Sequence, residues 1–366
     1  MRKINRIKKW IAFFLAMILV INVQCMNGNA AGTLQNQMLS YVESVIPQYL
    51  TAAEFYEGEY MVSEPITLFN WETGEGAKTL FFIFEGNEVV GRLVVQDYEG
   101  EYYSSFTTSN ADVLTQVYQQ KTPVAFGFYN GCFVMRMEAE NIVLSIPDKD
   151  DPLKGLSDRV QKTATTSNCL KKIVLDDSVE VNIAVTPRVT GYNQQLFPPI
   201  IANQNINGGI CWAACVASKT NLQKNMSLDA LDVYNVLAVN PNFLPVGDEF
   251  WTNLAYSTYQ INTIYTAGSV GVSVCYTQLC NGKPVHMDVS CDTDNDNVHD
   301  IGHSILLAGV NYTDASNSSG MYKIMDPNLP DYDYVVASPS VLQNGSGFVY
   351  VADYGYTFTR WYRTWY

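Results

Sequence analysis

The sequence predicts an α+β protein, in which a helix and a run of antiparallel strands precede a second part made of helices and then another antiparallel sheet. Three observations predict it. Apolar residues at helical spacing (Leu39, Val42, Val45, Ile46, Leu50) open the globular part. Short apolar runs separated by turn signals follow to about Pro147, and after residue 190 helical patterns come first and strand patterns last. Composition agrees with a folded chain: of 366 residues 47% are hydrophobic and 16% charged, with 24 Tyr, 16 Phe and 6 Trp. The net charge is −14, and five of the 22 basic side chains lie in the first ten residues, so the remainder is more acidic still. Such a body repels phosphate backbones, which excludes nucleic acid as a partner.

Arg2, Lys3, Arg6, Lys8 and Lys9 precede an apolar run from Trp10 to Ile21, and small residues follow at Gly28, Ala30 and Ala31. The run is too short to span a bilayer and has the form of a secretory signal, so residues 1–31 read as a signal peptide cut after Ala30 or Ala31. Export without a stable membrane anchor is the expectation, since the residue before Cys25 is Gln24 rather than the small residue that lipid attachment requires. Without Cys25 seven cysteines remain, an odd number that leaves at least one unpaired.

Residues 33–147 read as an α+β domain. A helix over Leu34–Leu50, with Pro47 as its end or kink, leads to strands at Pro65–Asn70, Thr79–Glu85, Glu88–Gln96, Tyr102–Thr107, Pro123–Tyr129 and Cys132–Met137, the last two joined by an Asn130-Gly131 hairpin turn. The domain contains no histidine and no pairing of nucleophile with base. Residues 148–189 read as a linker or connector: to about 166 they are richer in charged, small and turn-forming side chains, and beyond that the span includes a strand-like Val179–Val185 and could belong to either side.

The part from 190 to 366 reads as helices at Cys211–Leu222, at Ser227–Val239 with Ser227 as N-cap, and at Glu249–Tyr259. Strands follow at Val285–Val289, His303–Tyr312, Met321–Asp326, Gly347–Ala352 and Tyr356–Tyr366. The aromatic-rich last strand has a second reading, as a platform for stacking a ligand.

Chemistry concentrates in this part. In Gln204-Asn-Ile-Asn-Gly-Gly-Ile-Cys211-Trp212 two glycines allow a tight turn and place Cys211 in the first turn of a helix, where free N–H groups and the helix dipole favour a thiolate. Gln204 lies on the approach and offers an amide donor for a developing oxyanion, a role open also to Asn205 or Asn207. A thiolate nucleophile needs a base, and His303, at the start of an apolar strand, is the best placed of His286, His299 and His303. Asp326, 23 residues on at the end of the next strand, would orient the imidazole, with Asn328 as its competitor.

With a glycine-preceded Cys211-Trp212, an upstream Gln204, a later Gly302-His303 strand and then Asp326, the sequence resembles the papain-like cysteine peptidases. The resemblance is nearest to bacterial branches with a Cys-His-Asp triad, such as the peptidases that cut double-glycine bacteriocin leaders. It implies a peptidase domain over 190–366, with Cys211 as nucleophile, His303 as base, Asp326 as orienter, Gln204 as oxyanion donor, a protein or peptide substrate and no cofactor. It also implies that residues 33–147 serve as a propeptide and the protein is made as a zymogen; the alternative is a binding domain that stays attached.

Three other readings share these residues. A wall-peptide amidohydrolase or a transglutaminase would use the same triad, and an extracellular binding protein would carry it silently. His299-Asp-Ile-Gly-His303 has the spacing of a zinc-peptidase helix but sits where the pattern is strand. Asp292, Asp294 and Asp296 have the first three carboxylates of a calcium loop, without its glycine or its final Glu, and read rather as a solvated acidic loop.

Overall fold

The computed structural model describes residues 36–55, 58–129, 132–137, 140–143, 175, 192–204, 209–238, 244–293, 298–312 and 320–366. The signal peptide, the Asn130-Gly131 turn, nearly all of the 148–189 connector, Asn205, Asn207, Asp294 and Asp296 lie outside these residues, as does Cys169. Residues 36–52 are helical (α1), and helical residues run on past Pro47. The chain divides into two compact units, Met1–Ile46 and Pro47–Tyr366, and everything that follows concerns the second.

After α1 come β1 (Tyr60–Val62), β2 (Ile66–Asn70), β3 (Gly76–Glu85), β4 (Glu88–Tyr98), β5 (Glu101–Thr107), α2 (Ala111–Gln119), β6 (Val124–Tyr129), β7 (Cys132–Met137) and β8 (Glu140–Val143). Then follow β9 (Tyr192–Gln195), α3 (Cys211–Lys224), α4 (Ala230–Leu237), α5 (Glu249–Thr258), β10 (Tyr265–Thr266), α6 (Val272–Cys280), β11 (Val285–Cys291) and β12 (Ile301–Tyr312). The chain closes with β13 (Gly320–Met325), β14 (Asp333–Ala337), α7 (Pro339–Asn344), β15 (Tyr350–Val351), β16 (Thr357–Phe358) and β17 (Arg360–Trp365).

Fifteen of these strands form one sheet in the order β10-β17-β11-β12-β13-β14-β5-β4-β3-β2-β6-β7-β8, with β1 on β3 and β9 on β12. All the pairs are antiparallel except β2 with β6. The sequence reading separated the strands before 147 from those after 285 as two sheets. In the structure β14 and β5 pair through Asp333↔Thr107, Tyr334↔Phe106 and Val335↔Ser105, and the two sets continue into one another. Edge strands carry unpaired N–H and C=O groups, and each set here supplies the partner for the other's edge.

The strand β3 shows why pattern alone found it: Thr79-Leu-Phe-Phe-Ile-Phe84 is apolar on both faces, and Leu80, Phe81, Phe82 and Ile83 are fully buried. Leu114, Val117 and Tyr118 of α2 join the cluster of Leu80, Phe82 and Phe84, which also takes in Val349 and Val351 from near the C-terminus. A second cluster joins Val289, Ile305, Ile324, Tyr350, Tyr354 and Phe358. A third gathers Trp212, Val216, Tyr234, Tyr256 and Trp365 around α3.

Local differences from the sequence reading have physical causes. The helix expected from Ser227 starts at Ala230 and is capped by Asp229, which accepts from Asp232 N (2.8 Å) while Asp232 Oδ2 accepts from Asp229 N (2.9 Å). Two carboxylates three residues apart form a reciprocal capping box, which a lone serine two residues earlier cannot match. The strand expected over 347–352 contracts to Tyr350–Val351, and that expected over 356–366 breaks into β16 and β17.

Candidate active site

The polypeptide before α3 is folded by its own side chains. Asn203 Oδ1 accepts from Ile210 N (2.9 Å), and Gln204 O accepts from the same N–H (3.1 Å), so positions 203 and 204 are held against the residue that directly precedes Cys211. Gly209 has φ +110°, a backbone conformation that L side chains rarely adopt, which is why glycine stands at that position. The N-cap residue of the helix that begins at Cys211 is Ile210, which has no side-chain oxygen to offer, and among the described residues no side chain accepts from the N–H groups of its first turn. Cys211 is partly exposed, whereas Trp212 through Cys215 are buried.

β12 and β13 place the other two groups. Their antiparallel register (Leu306↔Met325) brings the residue after β13, Asp326, opposite Ile305 and within side-chain reach of His303. His303 Nε2 donates to Asp326 Oδ1 at 2.7 Å, and Cys211 lies close enough to the imidazole to help raise its pKa. With Nε2 committed to the carboxylate, Nδ1 is the nitrogen left for the thiol. The ring lies against Phe358 (centroids 5.4 Å apart, planes 23° apart) and meets the edge of Tyr354.

Asp326 is completely buried yet accepts four hydrogen bonds. Its Oδ1 takes His303 Nε2 and Asn328 N (2.8 Å), and its Oδ2 takes Tyr350 OH (3.0 Å) and Tyr354 OH. Burial alone would raise its pKa, but the His303 charge, the hydrogen bonds from His303 and Tyr354 and the Asn328 N–H hold it below the usual carboxylate range. Burial likewise opposes a charged His303, and Asp326, followed by Cys211, more than offsets this, pushing the imidazole up to about 10. The Asn328 side chain bonds elsewhere than the imidazole: its Oδ1 accepts from Asn203 Nδ2 (2.9 Å), and Asn203 N donates to Pro327 O (2.8 Å). Asn203 thus ties the loop before Cys211 to the loop bearing Asp326. Sequence reading missed it, together with Tyr350, Tyr354 and Phe358.

Removing one donor gives a measure of this cradle. Tyr354→Phe is expected to lower stability by about 1.5–3 kcal/mol, the range for a hydrogen bond to a charged group, read as a lower denaturant midpoint at unchanged m-value.

Gln204 stands next to Asn203, and its Oε1 is buried with no hydrogen-bond partner. The other histidines are placed differently. His286 is fully buried, with Nδ1 2.8 Å from Tyr256 OH, and burial lowers its pKa. Its Nε2 lies 3.5 Å from Asp288 Oδ1 but makes no hydrogen bond of good geometry; Asp288 instead accepts from Ser304 Oγ (2.6 Å) and Arg363 (3.3 Å). His299 is exposed. His303 enters a strand rather than a helix, so His299 and His303 do not form the helical pair of a zinc peptidase. Among the described residues no group of three or more metal-ligating side chains occurs.

Cys215 is buried against Leu306 and Met325, and burial first, then the nearby Cys211, Asp288 and Asp326, pushes its thiol well up. Two cavities, of about 620 and 730 Å³, flank the region without including Cys211 or His303. The first, lined in part by Phe250, Leu254 and Arg363, adjoins Gly247, which packs on Trp212; the second lies beside Tyr354–Thr357.

No family model and no curated protein matches this sequence. Among solved structures the chain is similar to a Bacillus anthracis protein described as a C39-like peptidase, with a TM-score of 0.26 and 13% identity over 40% of this chain and 98% of that one. At that score the likeness carries no argument about the site.

Proposed function

We propose that this protein is a secreted cysteine peptidase in which Cys211 is the nucleophile, His303 the general base and Asp326 the orienting carboxylate. The observation that carries the reading is His303 itself: one imidazole, stacked on Phe358, bonded on one side to a buried, four-fold satisfied carboxylate and close to a partly exposed thiol at the first residue of a helix. Structural cysteines have no need of such an arrangement.

The thiolate of Cys211 would attack a peptide carbonyl, forming the C–S bond while charge develops on the oxygen. The Cys211 N–H and the Gln204 amide would donate to that oxyanion. His303, as imidazolium, gives its proton to the leaving amine as the C–N bond breaks. Water then attacks the thioester, His303 takes its proton, and the carboxylic acid leaves with the thiolate restored. The carboxylate of Asp326 supports the imidazolium stage throughout, and the raised His303 pKa favours that stage at neutral pH.

Export by way of residues 1–31 belongs to this proposal. No helix among the described residues is long and apolar enough to cross a membrane. The propeptide role expected for residues 33–147 is not part of the proposal, because the sheet that contains β14 is completed by β5.

The test is hydrolysis of casein by purified secreted protein with iodoacetamide and a chelator as separate inhibitors, and mapping of the alkylated residue by mass spectrometry. Cleavage abolished by the alkylator, unaffected by the chelator and matched by labelling at Cys211 is the expected result. Labelling spread evenly over Cys211 and the exposed Cys280, without cleavage, overturns it. Release of peptide from cell wall or incorporation of amines, with casein untouched, would move the same triad to another acyl transfer.

A further inference from the structure

The hairpin formed by β15 and β16 has two sides with different partners. On one side Tyr350 and Tyr354 bond to Asp326, and Phe358 lies on the His303 ring. The other side is held by side chains from the strands before residue 110. Lys78 of β3 donates to both carbonyls that bracket the turn, Ala352 O (2.7 Å) and Tyr356 O (2.8 Å). Arg92 of β4 forms an ion pair with Asp353, inside the same turn, with Nε 2.8 Å from Oδ2, and also donates to Ser109 O. Ser105 of β5 donates to Val351 O (2.6 Å), and Thr357 bonds to Gln96 of β4.

These contacts are interior ones. Lys78, Arg92 and Asp353 are 6%, 0% and 2% exposed. Gly355 has φ +113°, and a Cβ there would lie 2.5 Å from the Phe128 ring, so β6 presses directly on the turn. Val351 is buried among Leu80, Phe82 and Phe126. Taking the strands away would strip Asp353 of its guanidinium and expose the edge of β14. A buried ion pair broken from one side is strongly destabilising, because a charge is left without compensation.

We propose that strands β1–β8 are a permanent part of the catalytic unit, with Lys78 and Arg92 as positioning residues that hold the β15–β16 hairpin from behind and so keep Asp326 and His303 in place. The inference rests on the peptidase reading of Cys211, His303 and Asp326. It replaces the removable propeptide by a fixed support, reached from β3 and β4 through one turn of backbone.

The experiment uses the full chain with a specific protease site introduced between residues 148 and 166. After cutting, the two pieces are expected to co-elute in native size exclusion, and iodoacetamide labelling of Cys211 to stay within about twofold of the uncut rate. Dissociation with labelling undiminished or faster overturns the proposal, and dissociation with labelling lost upholds the dependence of the site on the strands. A second arm tests positioning. Lys78→Met is expected to lower kcat about tenfold with little change in KM and to move the alkaline limb of the pH profile toward lower pH, with partial rescue in Lys78→Arg. If Lys78→Met does not fold, Ser105→Ala, which removes one hydrogen bond to the hairpin, should show the same shift with a threefold to tenfold loss. A folded variant with wild-type kcat and pH profile overturns the positioning role. Absence of preferential Cys211 labelling in the uncut protein would fail the peptidase reading instead, and co-elution would still decide whether the strands are retained.

Discussion

Cys211→Ala is expected to reduce peptide hydrolysis by on the order of 10⁴-fold or more while leaving the fold intact. The substitution removes one sulfur from a partly exposed position at the first residue of α3, and alanine is the strongest helix former. Stability should therefore change by no more than about 1 kcal/mol. Cys211→Ser should be nearly as inactive, because a serine hydroxyl does not ionise beside an imidazole near neutral pH and the thiolate–imidazolium pair cannot form. Cys215→Ala, four residues on, provides the contrast: that thiol packs on Leu306 and Met325 at zero exposure, so its loss should cost about 1–2 kcal/mol of stability and leave kcat unchanged. Measured kcat and denaturation midpoints for the three variants separate the roles. Retention of a tenth of the activity in Cys211→Ala would remove it as nucleophile.

The contrast between the two cysteines was legible in the sequence, since Gly208-Gly209 before Cys211 mark a tight approach to a helix start and Cys215 falls one turn further on the same helix. His303 and Asp326 were equally legible, because a glycine-histidine pair opening an apolar strand and a carboxylate closing the next one meet when the two strands pair antiparallel. The tyrosines that satisfy Asp326 were not. Tyr350 lies in the strand expected over 347–352 and Tyr354 in the gap before the strand expected from 356, and nothing local signals that both hydroxyls reach a carboxylate at 326. The turn between β15 and β16 is held by two basic side chains more than 250 residues earlier, Lys78 and Arg92. Period-two patterning finds a strand but carries no information about which distant carbonyl or carboxylate waits for its lysine. The joining of β5 to β14 escaped the sequence for the same reason, because pairing of two edges across 226 positions leaves no local signature.

Asp326 is the position at which substitutions should separate orientation from charge. Asp326→Ala leaves a buried imidazole without its acceptor and the Tyr350 and Tyr354 hydroxyls without theirs. We expect hydrolysis to fall by about 10²–10³-fold and stability to drop by about 3 kcal/mol or more. Asp326→Asn keeps a carbonyl that can accept from Nε2 and an amide that can donate to the tyrosine oxygens, so the loss in kcat should be nearer tenfold. Its pH dependence should change more than its rate. In the wild type the His303 pKa is raised, to about 10, so its contribution to stability is complete below the unfolded imidazole value and is lost as pH rises toward the folded one. The Asp326 pKa is lowered, so its contribution is present above the unfolded carboxylate value and is lost as pH falls through the folded one. The stability difference between wild type and Asp326→Asn should therefore be largest between about pH 4 and 6.5, and shrink on both sides. The alkaline limb of kcat/KM follows the same imidazolium and should move down from near pH 10 toward the ordinary histidine range. Chemical denaturation at several pH values, with kcat/KM measured on the same samples, tests both; an alkaline limb unchanged in Asp326→Asn would mean that Asp326 does not hold the charge of His303.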